Sequence, residues 1–211
     1  PPYSKSWEGK NNTILINDVR YSPAGVLAPI QRSDLAFTMH MLYHLSETGT
    51  CAIVEFPGVL YRGGAEKKIR EYLIKNNFVD TVIQLPANLF FGVGIATCII
   101  VIKKNKKDNN ILFVDASEEC EKKGDKNKLE DENQNRIVNA YQERKEKQYF
   151  TKLVSNDEVL ANGANLSVSS YVEKEDKREV IDIMALNEEI EALSKDVRNR
   201  SVELDEMIKE L

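Results

Sequence analysis

Hydrophobic positions change their period several times along the 211 residues, and each change marks an element. Residues 1 to 33 show no clear period and carry Gly9, Pro23, Gly25 and Pro29, so they read mostly as loop. Ser33 is suited to cap a helix, and Leu35, Met39, Leu42 and Tyr43 fall at helical spacing behind it, with Gly49 as a stop. Cys51 to Phe56 is a short apolar run closed by Pro57 and Gly58, as a buried strand would be. Gly63-Gly64 open a second helix from about Ala65 to Asn77, with Ile69, Leu73 and Ile74 on its inner face. The runs Phe78 to Leu85 and Ile95 to Ile102 predict two further strands. Ile111 to Val114 predicts a fourth after a Lys/Asn turn.

Helices alternating with strands predict an α/β fold, with parallel pairing first and an antiparallel hairpin at the end. Four strands make a thin sheet, and the first of them would present an unpaired edge. From Ser117 the chain turns polar: Lys128 to Gln148 reads as a helix with Leu129, Ile137 and Tyr141 as sparse anchors, and a loop through Gly163 leads to Tyr171-Val172. The last segment has its own period. Ile183, Ile190, Val197, Leu204 and Leu211 recur every seven residues, and Leu186, Leu193 and Met207 fill the second seam position, where Arg200 is the misfit. This pattern predicts a coiled-coil-like helix seeking a partner, the alternative being an amphipathic helix docked on its own domain. The expected segments are 1–120, 121–172 and 173–211.

Composition refines the picture. A 42% hydrophobic content can fill a core beside 30% charged residues. No apolar run approaches the roughly 20 residues of a membrane-crossing helix, and no signal-peptide pattern appears, so the expectation is a cytoplasmic protein with no membrane partner. Cys51, Cys98 and Cys120 have no paired spacing, which argues against a disulfide scaffold or zinc ribbon. The net charge of −5 belongs to the tail: thirteen acidic and seven basic side chains lie between Glu173 and Leu211, leaving a body near neutrality. His40 and His44 have metal-ligand spacing on a helix but no third ligand in pattern, so a packed helix face competes with a metal site and no metal is expected. Gly92-Val93-Gly94 reads as a turn. Lys103, Lys104, Lys106 and Lys107 form either a solvated turn or a phosphate contact.

Pro1-Pro2-Tyr3 is the sharpest local feature. Two fixed φ angles and two missing backbone donors make a stiff segment that presents carbonyl oxygens and an aromatic ring. With it come Ser4 and Trp7, the run Asp34-Leu35-Ala36-Phe37 leading to His40, and Gly58-Val59-Leu60-Tyr61-Arg62-Gly63-Gly64-Ala65-Glu66 followed by Ile69-Arg70. Val79-Asp80, Leu85-Pro86, Asn88-Leu89-Phe90-Phe91, Ile95-Ala96-Thr97-Cys98-Ile99 and Asp115-Ala116-Ser117 continue in order. In these residues the chain resembles the modification (M) subunit of type I restriction–modification systems, an adenine-N6 DNA methyltransferase, over roughly residues 1 to 172.

The resemblance implies the C-terminal half of a Rossmann-like class I methyltransferase sheet with a terminal antiparallel hairpin, followed by a helical extension and a coiled-coil-like C-terminal helix. It implies that Pro1, Pro2 and Tyr3 are the remainder of an Asn-Pro-Pro-Tyr motif at a strand end. The exocyclic amine of adenine is a weak nucleophile because its lone pair is delocalised into the ring. An Asn oxygen and the first proline's carbonyl can accept its two N–H groups while the tyrosine stacks on a base flipped from the duplex. Ser4, Trp7 and Arg62 are the implied DNA-side residues. Each has an alternative: Arg62 pairs with Glu66 instead, Trp7 caps the sheet rather than packing beside the adenine, and Asp34 is either a helix-start charge or a loop-orienting group.

S-adenosylmethionine is the implied cofactor, held mostly by a glycine-rich loop that these residues do not include. The motif's Asn is absent from them as well, so the chain is expected to be part of a subunit and inactive alone. The implied partners are DNA, a specificity (S) subunit, a second M subunit and a restriction (R) subunit. A non-catalytic assembly module for M–S and M–M contacts is the competing reading. Methylation of a protein amide, which shares the chemistry, is disfavoured by the Arg-Gly-Gly-Ala-Glu run.

Overall fold

The computed structural model describes residues 1–175 and 182–209. A largely irregular N-terminal segment holds one short helix, α1 (Thr13–Ile16), and leads into α2 (Asp34–His44). There follow β1 (Thr50–Glu55), α3 (Ala65–Lys75), β2 (Val79–Gln84), β3 (Cys98–Lys103) and β4 (Asn110–Asp115). A small hairpin of β5 (Glu121–Lys123) and β6 (Lys126–Lys128) precedes α4 (Asp131–Glu143), β7 (Thr151–Ser155) and α5 (Asn156–Ala161). The chain divides into two units, Pro1–Lys174 and Glu175–Leu211. The second contains α6 (Ile183–Lys209), whose apolar positions Ile183, Leu186, Ile190, Leu193, Val197 and Leu204 are all exposed. Leu211, the last heptad position, lies outside the described residues.

The fold is mixed α/β, and its main sheet runs β1-β3-β2-β4-β7. This corrects the expected topology. β1 and β2 do not pair; β3 runs antiparallel between them. The antiparallel hairpin is β2–β3, closed by the long loop 85–97, whereas β4 crosses over to pair parallel with β2. Runs of apolar residues reveal strands buried on both faces but carry no information on their lateral order. β1 does lie at the outer edge, with β3 as its neighbour.

The opposite edge is β7, antiparallel to β4. It lay inside a stretch read as loop because its Thr-Lys-Leu-Val-Ser sequence is short and half polar. The helix expected over 128–148 is also shorter. Glu130 caps α4 in a reciprocal box with Asn133, and Arg144 ends it with a left-handed φ of 49°. Lys126–Lys128 instead pairs with Glu121–Lys123.

Both sheet faces are covered. Along β4, Ile111 and Phe113 face the larger core under α2 and α3, while Leu112 and Val114 face a smaller one under α4 with Ile137 and Ala140. Val159, Ala164, Leu166, Val168 and Val172 join the larger core, and Tyr171 stacks on Phe113 at 4.3 Å.

Candidate functional site

β1, β2 and β4 point the same way, so Glu55, Gln84 and Asp115 end together, and β3 starts beside them at Cys98. In open α/β sheets this end gathers ligands. Tyr3 lies there. Its half-buried ring sits 6.2 Å from Phe56, the residue after β1, at an interplanar angle of 54°. Burial pushes its phenol up, and Glu55, Cys98 and Asp34 add to the rise in that order. Pro1 and Pro2 are exposed in front of it.

The segment behind Tyr3 is fastened to the start of α2. The Ser4 N–H donates to Asp34 Oδ1 at 2.7 Å. The Ser33 hydroxyl and N–H both donate to the Lys5 carbonyl, at 2.8 and 3.1 Å. Ser33 thus occupies the cap position without a side-chain capping bond, its hydroxyl being used across the chain. Trp7 closes the series, its backbone N–H donating to Ile30 and its indole N–H to the Pro29 carbonyl at 3.0 Å. It also packs edge-on against Tyr21 at 5.4 Å. Ser4 itself is exposed and adopts a left-handed φ of 51°.

Beneath lies a closed carboxyl pair. Asp34 and Glu55 are both fully buried. The Thr38 hydroxyl donates to Glu55 Oε1 at 3.1 Å, while Asp34 Oδ2 and Glu55 Oε2 have no hydrogen-bond partner. Burial pushes the Glu55 carboxyl up to about 8 against the pull of the Thr38 hydrogen bond, with the Asp34 charge adding to the rise. The Cys98 thiol donates to the Glu55 carbonyl at 3.4 Å and is pushed far up by burial. Glu55, Thr38 and Cys98 do not stand out in the sequence as candidate residues, since each reads alone as an ordinary core position. The usable signal was a glutamate closing an apolar strand.

Arg62 stands beside this group. Its guanidinium lies 5.7 Å over the Phe56 ring and 3.6 Å from Glu66 one helical turn on. Arg32 reaches the same carboxylate, also at 3.6 Å. Gly58 makes room, because a Cβ there would stand 2.4 Å from the Arg62 guanidinium. Pro1, Pro2, Tyr3, Ser4 and Arg62 therefore gather at one end of the sheet, with Arg62 connected to Tyr3 through Phe56. Loop 85–97 leaves the same end and carries Phe91 fully exposed.

The lysine cluster lies at the opposite end of the sheet, where β3 finishes and β4 begins. Lys103 pairs with Asp80 at 3.1 Å, Lys104 reaches Glu47, and Lys106 donates to the carbonyls of Val79 and Asn110. The His40 and His44 rings meet at 4.6 Å with their planes tilted by 59°, and Tyr21 Oη approaches His40 Nδ1 at 3.4 Å. Among the described residues no group of three or more His, Cys, Asp or Glu side chains could hold a metal ion, and no helix is long and apolar enough to cross a membrane.

The profile of the N-6 DNA methylase family matches residues 1–180. The chain is 44% identical, over 99% of its length, to the methylase subunit of the type I restriction enzyme MpnII from Mycoplasma pneumoniae, covering 39% of that protein. It is 34% identical over 87% of its length to the MjaVII methylase subunit from Methanocaldococcus jannaschii, covering 32% of it. Among solved structures, the methyltransferase subunit of a type I restriction-modification system from Streptococcus thermophilus superposes with a TM-score of 0.79 at 41% identity, over 82% of this chain and 37% of that one. The chain thus spans about a third to two fifths of the length of these relatives.

Proposed function

Since the chain belongs to the N-6 DNA methylase family, we propose that it forms part of a type I modification subunit that methylates adenine N6 in DNA. On this reading residues 1–120 complete a Rossmann-like methyltransferase sheet, residues 121–172 extend it, and residues 173–211 provide a coiled-coil-like helix. The observation that carries the proposal is the placement of Pro1-Pro2-Tyr3. The segment sits at the shared carboxyl end of β1 and β2, with its prolines exposed and its tyrosine held against Phe56. In the proposed reaction the Pro1 carbonyl accepts an N–H of the adenine amine, Pro2 stiffens the segment, and the Tyr3 ring stacks on the flipped base. Ser4, Trp7 and Arg62 line the DNA side. Arg62 is ion-paired with Glu66 through a buried guanidinium nitrogen while its side chain as a whole keeps part of its exposure, so it can face a phosphate with its charge already offset.

S-adenosylmethionine is the methyl donor that the family implies. The residues of this chain do not by themselves fit it. The acidic side chains nearest Tyr3, Asp34 and Glu55, are sealed in the core, and no glycine-rich phosphate- or nucleoside-cradling loop stands among the described residues. The chain therefore supplies the base-facing side of the site, and alone it is inactive. DNA, a specificity subunit, a second modification subunit and a restriction subunit are the proposed partners, in the cytoplasm.

The test is transfer of labelled methyl groups from S-adenosylmethionine to an adenine-containing duplex, by this chain alone and by the complete subunit with its specificity subunit. Label on adenine N6 only in the second reaction is the expected result. Transfer by the chain alone contradicts its inactivity, and an inactive complete assembly overturns the enzyme reading. The exposed seam of α6 supports a second reading in which the chain serves subunit assembly without chemistry, and inactivity of the complete assembly would favour it.

A further inference from the structure

We infer that Asp34 is the positioning residue of this site, its buried carboxylate fixing the Pro1-Pro2-Tyr3 segment through the Ser4 amide. The inference deepens the adenine-methylation reading and rests on it for its catalytic half. Three observations lead to it. Asp34 stands in the first turn of α2, where an acidic side chain ordinarily offsets the helix dipole, yet the hydrogen bond it accepts comes from outside the helix. Its Oδ1 takes the amide of an exposed residue thirty positions earlier, at 2.7 Å, from a side chain that is itself fully buried. That length is typical of a charge-assisted bond.

Ser4 is also held in the left-handed region, at φ 51°. A non-glycine residue stays there only when its surroundings impose the conformation. The reversal at Ser4 decides where the Pro1 carbonyl and the Tyr3 ring point. Lys5 immediately after it is pinned by both Ser33 bonds, so the Ser4 peptide is the hinge between the pinned chain and the reacting segment.

The latch has a fixed base as well. One turn along α2, Thr38 donates to Glu55 at the end of β1. The helix that holds Ser4 is thereby tied to the strand beside which Tyr3 lies. A shift of the segment by about an ångström would spoil the approach of a flipped base while leaving most DNA contacts in place, and such misplacement costs up to about 100-fold in rate.

The test has two arms. In the 211-residue chain by itself, amide exchange at Ser4 followed by NMR reports the latch without any reaction. Asp34→Ala should speed that exchange by about tenfold or more while the β3 and β4 amides keep theirs. In the complete subunit with its specificity subunit, D34A should lower kcat by roughly 10- to 100-fold, with KM for S-adenosylmethionine and affinity for the duplex within about threefold of native. Asp34→Asn retains an acceptor oxygen and should restore most of the rate. Ser4→Gly in the D34A background should restore part of it, because glycine adopts a positive φ without strain; Ser4→Ala should restore none. Where D34A does not fold, D34N carries the exchange arm, with a smaller rise of about threefold.

Unchanged Ser4 exchange overturns the latch. A native kcat in D34A, or a loss that neither D34N nor S4G relieves, overturns the positioning role. If Ser4 responds but the native assembly methylates nothing, the functional reading has failed and takes the catalytic half of the inference with it, while the latch stands.

Discussion

Glu55 ends β1 with its carboxyl enclosed by α2, β3 and the Pro-Pro-Tyr segment, and one of its oxygens has no partner. Burial raises it to about 8, so between its unfolded value near 4.5 and about 8 the native state holds a proton that the unfolded chain has released. The stabilisation is complete below about pH 4.5 and is lost as the pH rises through about 8. Glu55→Gln, which is neutral at every pH and keeps an acceptor for Thr38, should flatten this dependence. In urea unfolding the native chain should lose roughly 2–4 kcal/mol more than the variant between pH 5.5 and 8.5; parallel losses would show that Glu55 is ionised throughout. Glycine makes a second single-residue case. Gly64 precedes α3 with φ 67° and ψ −133°, a conformation for glycine alone, although a Cβ there would meet no atom. Gly63 has no positive φ, and a Cβ there would likewise meet no atom. Thus Gly64→Ala should cost about 1–3 kcal/mol of unfolding free energy and Gly63→Ala less than about 0.5, and equal effects would refute the assignment. At this scale the sequence was readable where the backbone itself is constrained, as at Pro1-Pro2 and Gly63-Gly64. It was less readable where the constraint comes from afar: the sequence left Asp34 between a helix-start charge and a loop-orienting group without naming Ser4 as its partner, and nothing near Glu55 announces its burial.

At the scale of elements, periodicity located the helices α2 and α3 and the first four strands within a few residues, because each buries an apolar face that repeats locally. It missed β7, whose Thr151, Lys152 and Ser155 dilute the apolar signal and whose ladder partner is β4, some forty residues earlier. It also misplaced the hairpin, since β2, β3 and β4 are equally apolar and their lateral order is fixed by packing and polar clips. One such clip is visible. A register shift between Val79 and Thr81 sets Asp80 apart in β2. Its carboxylate takes Lys103 from β3 at 3.1 Å and Arg144, the residue that ends α4, at 3.2 Å. Arg144 also donates to the Asn110 carbonyl at the start of β4. Asp80 is nearly buried while both cations keep part of their exposure, so the carboxylate is desolvated more than its partners. Asp80→Ala should therefore destabilise the chain by about 1.5–3 kcal/mol. A double-mutant cycle with Arg144→Ala should give a coupling of about 1 kcal/mol that survives moderate salt. A coupling near zero would mean that the end of α4 is placed without help from the Asp80 carboxylate. The same clip accounts for Lys103, which the sequence grouped with its neighbours as a solvated turn or phosphate site.

The first unit, Pro1–Lys174, is a body with two packed cores, and the second contains a charged helix with exposed seam positions. Arg70 closes the body: from α3, fully enclosed, it donates to the Val59 carbonyl at 2.9 Å and the Ala164 carbonyl at 2.7 Å, joining the loop after β1 to the segment after α5. The tail contrasts at every point. It carries the excess acid of the sequence, and Ile183, Leu186, Ile190, Leu193, Val197 and Leu204 stand exposed along one helix. A single amphipathic helix is marginal in water when nothing covers its apolar stripe, and a stripe that repeats every seven residues is matched by a second helix of the same kind. Arg200 interrupts the seam one turn from Leu204 and pairs with Asp196 on its own helix, which weakens pairing between identical copies and leaves room for a different partner. Without that partner, the chain should self-associate weakly through the tail. Its weight-average mass in sedimentation should rise with concentration, fall to the monomer value when residues 180–211 are removed, and fall likewise in an Ile190→Asp, Val197→Asp double variant. The thermal midpoint of the body should move by no more than a degree or two in either case, since substitutions that disturb no packed contact stay within about 0.5 kcal/mol. A constant monomer mass at all concentrations would show that the seam does not pair with itself, and a large loss of body stability on truncation would show instead that the tail is covered by its own domain.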